Sequence, residues 1–253
     1  MLTYGGQINT HLVKAFSSYR HVVEPYLRFE GLTRPNFGVN EHYYFNIDDG
    51  VDSLNALRIG VRNGLFSTHR SLLLPDLTAD LYTYGFFGER KFPYTFPKTY
   101  LDLEWSRPSC ILRGGIAWNQ QENLWDYTNV SADWTLNENV AFGAEFRHRS
   151  RYDWRKAQHH NFFLDIARSI PELLDSPLSD GRDTLLTRFF FRLAPRLTCH
   201  IQTRHGWGRR SEPRYNAGKI DLFTMLTCSW RLKLSYERIP GDNRFSGSVS
   251  LVR

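Results

Sequence analysis

Alternation at a period of two residues is the feature that most constrains this chain. Over 140–149, Val140, Phe142, Ala144 and Phe146 fall on one side, and Gly143, Glu145, Arg147 and Arg149 on the other. Over 57–62, Leu57, Ile59 and Val61 alternate with Arg58, Gly60 and Arg62, and Leu101, Leu103 and Trp105 enclose Asp102 and Glu104. Further on, Phe245, Gly247, Val249 and Leu251 are set against Arg244, Ser246, Ser248 and Ser250. A helix would scatter these charges around its circumference, whereas a strand collects them on one face. The chain therefore reads as all-β and antiparallel.

Extended along the sequence, the pattern predicts about twelve strands: 20–32, 53–66, 76–85, 98–106, 110–118, 124–135, 140–149, 183–193, 196–207, 219–229, 231–239 and 244–252. A weaker thirteenth lies near 4–16. Most are about twice the usual globular length and match a tilted bilayer crossing. Their connections alternate. Cys228–Leu232, Leu193–Arg196, Leu136–Val140 and Trp105–Cys110 are tight, while 208–218, 150–182, 86–97 and 33–52 are long. Links 119–123 and 240–243 are short exceptions on the long side, and 67–75 is a long one on the short side. Short turns at one end and long loops at the other are the habit of transmembrane barrels. In the loop 150–182, Phe162, Phe163, Ile166, Ile170 and Leu173 or Leu174 recur at near-helical spacing, which predicts one short amphipathic helix. That helix caps a rim, folds into the mouth or packs on the surface.

The faces bear on the environment. One phase collects Glu24, Arg28, Glu30, Arg58, Arg62, Asp80, Asp102, Glu104, Arg113, Asp133, Glu145, Arg147, Arg188, Arg192, Arg204, Lys233 and Glu237. The other carries Val23, Leu27, Phe29, Leu57, Val61, Leu77, Leu81, Leu112, Ile116, Val130, Trp134, Phe189, Phe191, Leu222, Leu226, Leu234 and Val249, and no charge. Placing a charge on a lipid face costs about 2–4 kcal/mol at the midplane. Ions of both signs pair across strands around water more readily than in a dry core. The reading is a single domain over 1–253, ionic side inward and apolar side toward lipid. Tyr82, Tyr84, Trp105, Trp118, Trp134, Trp207 and Trp230, near strand ends, are candidates for two interfacial girdles.

Other classes find less support. Hydrophobic residues make up 41% of the chain, and no run approaches the roughly 18 apolar residues of a spanning helix. The net charge is +6, but basic residues are interleaved with acidic ones and no nucleic-acid-binding signature appears, so no nucleic-acid partner is expected. Cys110, Cys199 and Cys228 have no metal-like spacing, and their odd number forbids full disulfide pairing. His159-His160 lacks the geometry of a zinc pair. His148, His200 and His205 suit strand-wall positions. Near His205, Ser211-Glu212 carries no nucleophile signature. No catalytic residue, metal or cofactor is expected. The first residues do not form a signal peptide, so export requires a longer precursor or an earlier start.

Three stretches carry a family resemblance. Tyr19-Arg20-His21-Val22-Val23-Glu24-Pro25-Tyr26-Leu27-Arg28-Phe29 is unusual because Pro25 lies within a strand pattern; proline belongs at an edge, a bulge or a strand start. This stretch, with His21, Glu24 and Pro25 as its distinctive part, is followed by Leu54-Asn55-Ala56-Leu57-Arg58-Ile59-Gly60-Val61-Arg62-Asn63. Together with the ending from Leu234 through Ile239-Pro240-Gly241 to Leu251, they resemble the C-terminal barrel region of the LPS-assembly protein LptD family (OstA, organic solvent tolerance protein). The remaining likeness is diffuse.

The resemblance implies a bacterial outer-membrane barrel that receives lipopolysaccharide from a periplasmic bridge protein and releases it to the outer leaflet. A plug lipoprotein of the LptE kind would sit in the lumen, and an opening would form between the first and last strands. The family barrel is about twice this size and follows a periplasmic jellyroll. Neither that domain nor the family's adjacent cysteines occurs here. The chain is then a truncated frame, a split product, a smaller relative or the C-terminal half of a larger barrel, with 244–252 on one side of the gate. Arg28, Arg58, Arg62, Arg147, Arg188 and Arg192 would meet lipid phosphates or pair internally with Glu24, Glu30 and Glu145. The alternatives are a general porin or solute channel, constricted by 150–182, and a soluble β-rich binding protein.

Overall fold

A computed structural model describes residues 2–33, 54–68, 74–87, 94–150, 182–208 and 213–251. Alternating β-branched, aromatic and polar residues form fourteen strands. These are β1 (Thr3–Asn9), β2 (Leu12–Ala15), β3 (Tyr19–Leu32), β4 (Leu54–Ser67), β5 (Leu77–Phe87), β6 (Lys98–Ser106) and β7 (Cys110–Asn119). They continue as β8 (Leu124–Asn137), β9 (Val140–Arg149), β10 (Arg182–Ala194), β11 (Leu197–Trp207), β12 (Tyr215–Met225), β13 (Trp230–Ile239) and β14 (Asp242–Leu251). All belong to one antiparallel sheet. From β3 onward each strand pairs with the next in sequence, β1 heads the order, and β2 also pairs with β3. Among the described residues β1 and β14 do not pair with each other. No described residue is helical. The helix expected near 162–174 and the pairs His159-His160 and Ser211-Glu212 lie outside the described residues.

Strand lengths reach 14 residues in β3, β4 and β8. The links 16–18, 107–109, 138–139, 195–196 and 226–229 are short and fall at one end of the strands, with 68–76 as the longer exception. The other end has 33–53, 88–97, 150–181 and 208–214, with 120–123 and 240–241 as short exceptions. Local chemistry makes the tight turns. The side chain of Asn137 accepts a hydrogen bond from the Asn139 amide at 2.8 Å. Pro240 and Gly241 turn β13 into β14, with Gly241 at φ 81°, a conformation that favours glycine.

Two boundaries differ from the sequence reading. The strand expected at 219–229 is β12, four residues earlier. Thr227 Oγ1 accepts from the amides of Ser229 (3.3 Å) and Trp230 (3.2 Å), folding 226–229 into a turn instead of continuing the ladder. The single strand expected near 4–16 is divided. β1 and β2 keep one register against β3, Asn9 opposite Tyr26 and Leu12 opposite Val23, with a gap at Thr10–His11. The gap faces Glu24-Pro25. The Thr10 amide donates to the Pro25 carbonyl at 3.3 Å, so Pro25 turns its nitrogen to the same side. Without an N–H it cannot return the bond. Pro25 therefore leaves its own strand continuous and interrupts the neighbouring one.

The chain falls into two compact units. The first comprises residues 1–105, 114–128 and 149–181; the second, 106–113, 129–148 and 182–253. The buried hydrophobic cluster, Tyr26, Tyr82, Tyr84, Tyr100, Ala117 and Tyr127 with Phe86 packed against it, lies in the first.

Candidate functional site

In the first unit the register stacks polar residues on one face. Glu24 stands opposite Arg62, Arg62 opposite Asp80, and Asp80 opposite Asp102. Arg28 faces Arg58, which faces Tyr84, and Tyr82 faces Tyr100. The intervening positions carry Leu27, Ile59, Val61, Leu81 and Leu103. Burial is the reverse of what a water-soluble sheet requires. Tyr100 and Lys98 are each 1% exposed and Asp126 0%, all on the polar face, whereas Leu81 is 51% exposed. Tyrosines and ions are among the side chains hidden from the surroundings, while Leu27, Ile59, Val61, Leu81 and Leu103 are presented to them, as are the half-exposed Arg28, Glu30 and Arg62 of the polar face.

Arg58 is the centre of the buried face. Its guanidinium lies 3.7 Å from the Tyr82 ring centroid, 5.3 Å from Tyr26 and 5.6 Å from Tyr84, a cation–π contact on three sides. It also donates to Asp80 at 2.9 Å. Asp80 further accepts from the Tyr26 hydroxyl at 2.9 Å and lies 3.6 Å from Arg62. Asp80 and Asp102 are directly opposed, a destabilising pairing of like charges. Arg58 and Arg62 compensate the first, and the Tyr82 hydroxyl donates to the second at 2.9 Å. Gly60, between the two arginines, makes room: a Cβ there would stand 2.5 Å from the Tyr26 hydroxyl and 2.8 Å from Tyr82 Cβ. Deeper on this face, Lys98 pairs with Asp126, which also accepts from the Ser150 hydroxyl.

The second unit repeats the division of faces with different chemistry. Across β10 to β14 one face carries Arg188, Gln202, His200, Asp221, Lys219, Glu237, Lys233, Arg244 and the serines 235, 246 and 248. The other carries Phe189, Ile201, Ile220, Leu222, Leu234, Phe245 and Val249. Asp133 takes Arg188 at 3.0 Å and Arg113 at 3.7 Å, and all three side chains are about half exposed. Gly143 leaves the space for this pairing, since a Cβ would come within 2.6 Å of Asp133 Oδ1. His200 packs between Phe190 and Phe223, with ring centroids 5.0 and 4.9 Å away.

The sequence-derived candidates divide between these two settings. Glu24 meets Arg62 at 3.5 Å and also accepts from Asn9 at 2.6 Å beside the break between β1 and β2. His21 contacts Asn63 at 3.3 Å. Arg28 pairs with Glu30 on its own strand, and Arg147 with Glu145 at 2.5 Å. Arg188 joins Asp133, and Arg192 is exposed near the end of β10. Arg58 is consumed by internal contacts, whereas Arg28, Arg62, Arg147 and Arg188 are about half exposed.

Tyr82 and Tyr84 are not in an outward girdle; they share the buried face with Asp80, two and four residues away, because alternation puts them there. Trp134, Trp207 and Trp230 are exposed. Lys98, Asp126 and Tyr100 were missed as buried polar positions. Among the described residues no group of His, Cys, Asp and Glu forms a metal site, and the three cysteines are free. No family model matches the chain, and no curated protein matches it.

Proposed function

We propose that these strands belong to a bacterial outer-membrane β-barrel that passes lipopolysaccharide, or a similar anionic lipid, to the outer leaflet, in the manner of the LptD family. The inversion of the faces carries the membrane part of this reading. A sheet in water would lose stability by exposing one aliphatic face and burying ions, roughly 25 cal/mol per Å² of apolar area left unburied. Against acyl chains the same arrangement is favourable. Strand length and the alternation of short and long links support it. The family part rests on the three stretches around Pro25, Arg58 and Pro240-Gly241. Arg28, Arg62, Arg147, Arg188 and Arg192 would offer guanidinium groups to lipid phosphates. A lipoprotein plug and a periplasmic bridge protein would be the partners.

The membrane claim is tested by flotation. The refolded chain should float with phospholipid vesicles and show a heat-dependent gel shift. A chain that stays monomeric and folded in buffer without amphiphiles would overturn it. The cargo claim is tested by a photo-crosslinking residue at Arg62 or Arg188, which should capture lipopolysaccharide, whereas one at Leu81 should not capture its phosphorylated headgroup. A solute channel is the second reading, favoured by the half-exposed ion pairs around Asp133. Steady ion conductance without lipopolysaccharide capture would select it.

A further inference from the structure

The hairpin joining β2 to β3 puts a cation on a face that is otherwise apolar. The Phe16 amide donates to the Tyr19 carbonyl at 2.8 Å, closing a tight turn through Ser17-Ser18. The register then stacks three cross-strand pairs on the apolar face. Leu12 stands opposite Val23, Lys14 opposite His21, and Phe16 beside Tyr19, whose ring stacks on it at 4.4 Å. Aliphatic, cationic and aromatic rungs follow one another toward the short-link end. Among the described residues of β1 to β6, Lys14 is the only lysine, arginine, aspartate or glutamate on this face.

The neighbouring carboxylates are turned away from it or engaged. Glu24 lies on the opposite face, with Arg62 and Asn9. Asp76, the one carboxylate among the described residues of the link 68–76, accepts from the Ser67 amide at 3.1 Å. The rest of that link, His69-Arg70-Ser71-Leu72-Leu73, brings no carboxylate in its sequence. The Lys14 ammonium instead lies over the Phe16 ring, 5.1 Å from its centroid. Beside it His21 contacts Asn63 at 3.3 Å, so a second polar pair stands at the same level of the face. Polar groups turned toward a bilayer need partners there. Lys14 lies about 7 Å along the strand from Phe16, within reach of the interface for an ammonium on a four-carbon stem. Short links mark the periplasmic rim of such barrels, on the side away from the lipopolysaccharide leaflet.

Resting on the membrane reading above, we infer that Lys14, His21 and Asn63 hold the phosphate of an anionic glycerophospholipid in the periplasmic leaflet. The ammonium supplies the opposite charge, and the imidazole and amide supply hydrogen bonds. The acyl chains lie along Leu12 and Val23, and the stacked Phe16 and Tyr19 rings sit at headgroup level. This site is separate from the polar face assigned to cargo, since it lies on the other side of the same strands.

The test refolds the full chain into vesicles of about one-tenth phosphatidylglycerol in phosphatidylcholine, with an apolar photo-crosslinking residue at Leu12 or at Leu103. These positions share one row of the sheet, through Val23, Asn63 and Ala79, and stand about 19 Å apart. Captured lipids are identified by mass. Phosphatidylglycerol should be enriched roughly five-fold over its share of the vesicle at Leu12, and not at Leu103. Lys14→Gln with His21→Gln should remove the enrichment, whereas Lys14→Arg, which keeps the charge, should retain most of it. Equal capture at the two positions, or enrichment that survives the double substitution, would overturn the inference. So would its loss when inorganic phosphate replaces chloride at constant ionic strength, which would mark a site for the free anion. A chain that fails to float with vesicles overturns the membrane reading; one that floats without enrichment at Leu12 overturns this inference alone.

Discussion

Each unit, taken by itself, carries an apolar face opposite a polar one, and the two differ in what the polar face hides. In the first, Tyr26, Tyr82 and Tyr84 surround Arg58, and Lys98 and Asp126 pair with almost no contact with the surroundings. In the second, Asp133, Arg113 and Arg188 pair at similar distances but remain about half exposed. The difference teaches that alternation fixes which side is polar, but ring size fixes whether that side is dry. Tyrosine supplies both the volume to exclude water and a hydroxyl to satisfy the carboxylates it covers. Serine and arginine also satisfy carboxylates, as Ser235 does Asp221 and Arg188 does Asp133, but the half-exposed Arg113 and Arg188 leave Asp133 open to the surroundings.

The contrast can be broken most sharply at Lys98. Lys98→Ala strands a fully buried Asp126 and should cost about 3–5 kcal/mol in urea unfolding from detergent micelles or vesicles. A cost below that of Arg188→Ala would refute the dry character of the first unit. Next are the outward faces, where the units should behave alike: Leu81→Arg and Leu222→Arg should each cost about 2–4 kcal/mol in vesicles if they meet lipid near the midplane. Unequal penalties would show that the two faces contact different media.

Gly60→Ala forces a methyl against Tyr26 and Tyr82 and should cost about 1–3 kcal/mol. Gly218→Ala in β12, where the nearest atom to a Cβ is the Gln202 carbonyl at 4.0 Å, should be close to neutral. Equal unfolding midpoints for the two variants would remove the claim that Gly60 is a socket. The smallest effect belongs to a double-mutant cycle on Arg188 and Asp133, with an expected coupling of about 0.2–1 kcal/mol that shrinks with added salt.

The strand order was legible because a one-residue error in phase would exchange every charged side chain for an apolar one, a signal repeated along the chain. The buried cluster was less legible for two particular reasons. Tyr82 and Tyr84 were assigned by aromatic identity and nearness to a strand end, although their parity with Asp80 already placed them on the polar face. Asp126 was hidden by a change of phase in β8: Trp125 is exposed, and so are Val130, Trp134 and Leu136, so the outward positions shift from odd to even. Counting back from Val130 turns Asp126 the wrong way. The partnership of Lys98 with Asp126 depends on residues 28 apart in sequence, which no local period encodes. Thr227 shortened β12 through side-chain bonds that a hydropathy pattern does not register.

The missing donor at Pro25 has a kinetic consequence for the margin of the sheet. Thr3–Asn9 and Leu12–Ala15 are tethered to β3 on either side of a weak rung, so each can fray without dragging the other along. Deuterium uptake should report two independent opening rates there, and restoring an amide with Pro25→Val should merge them into one.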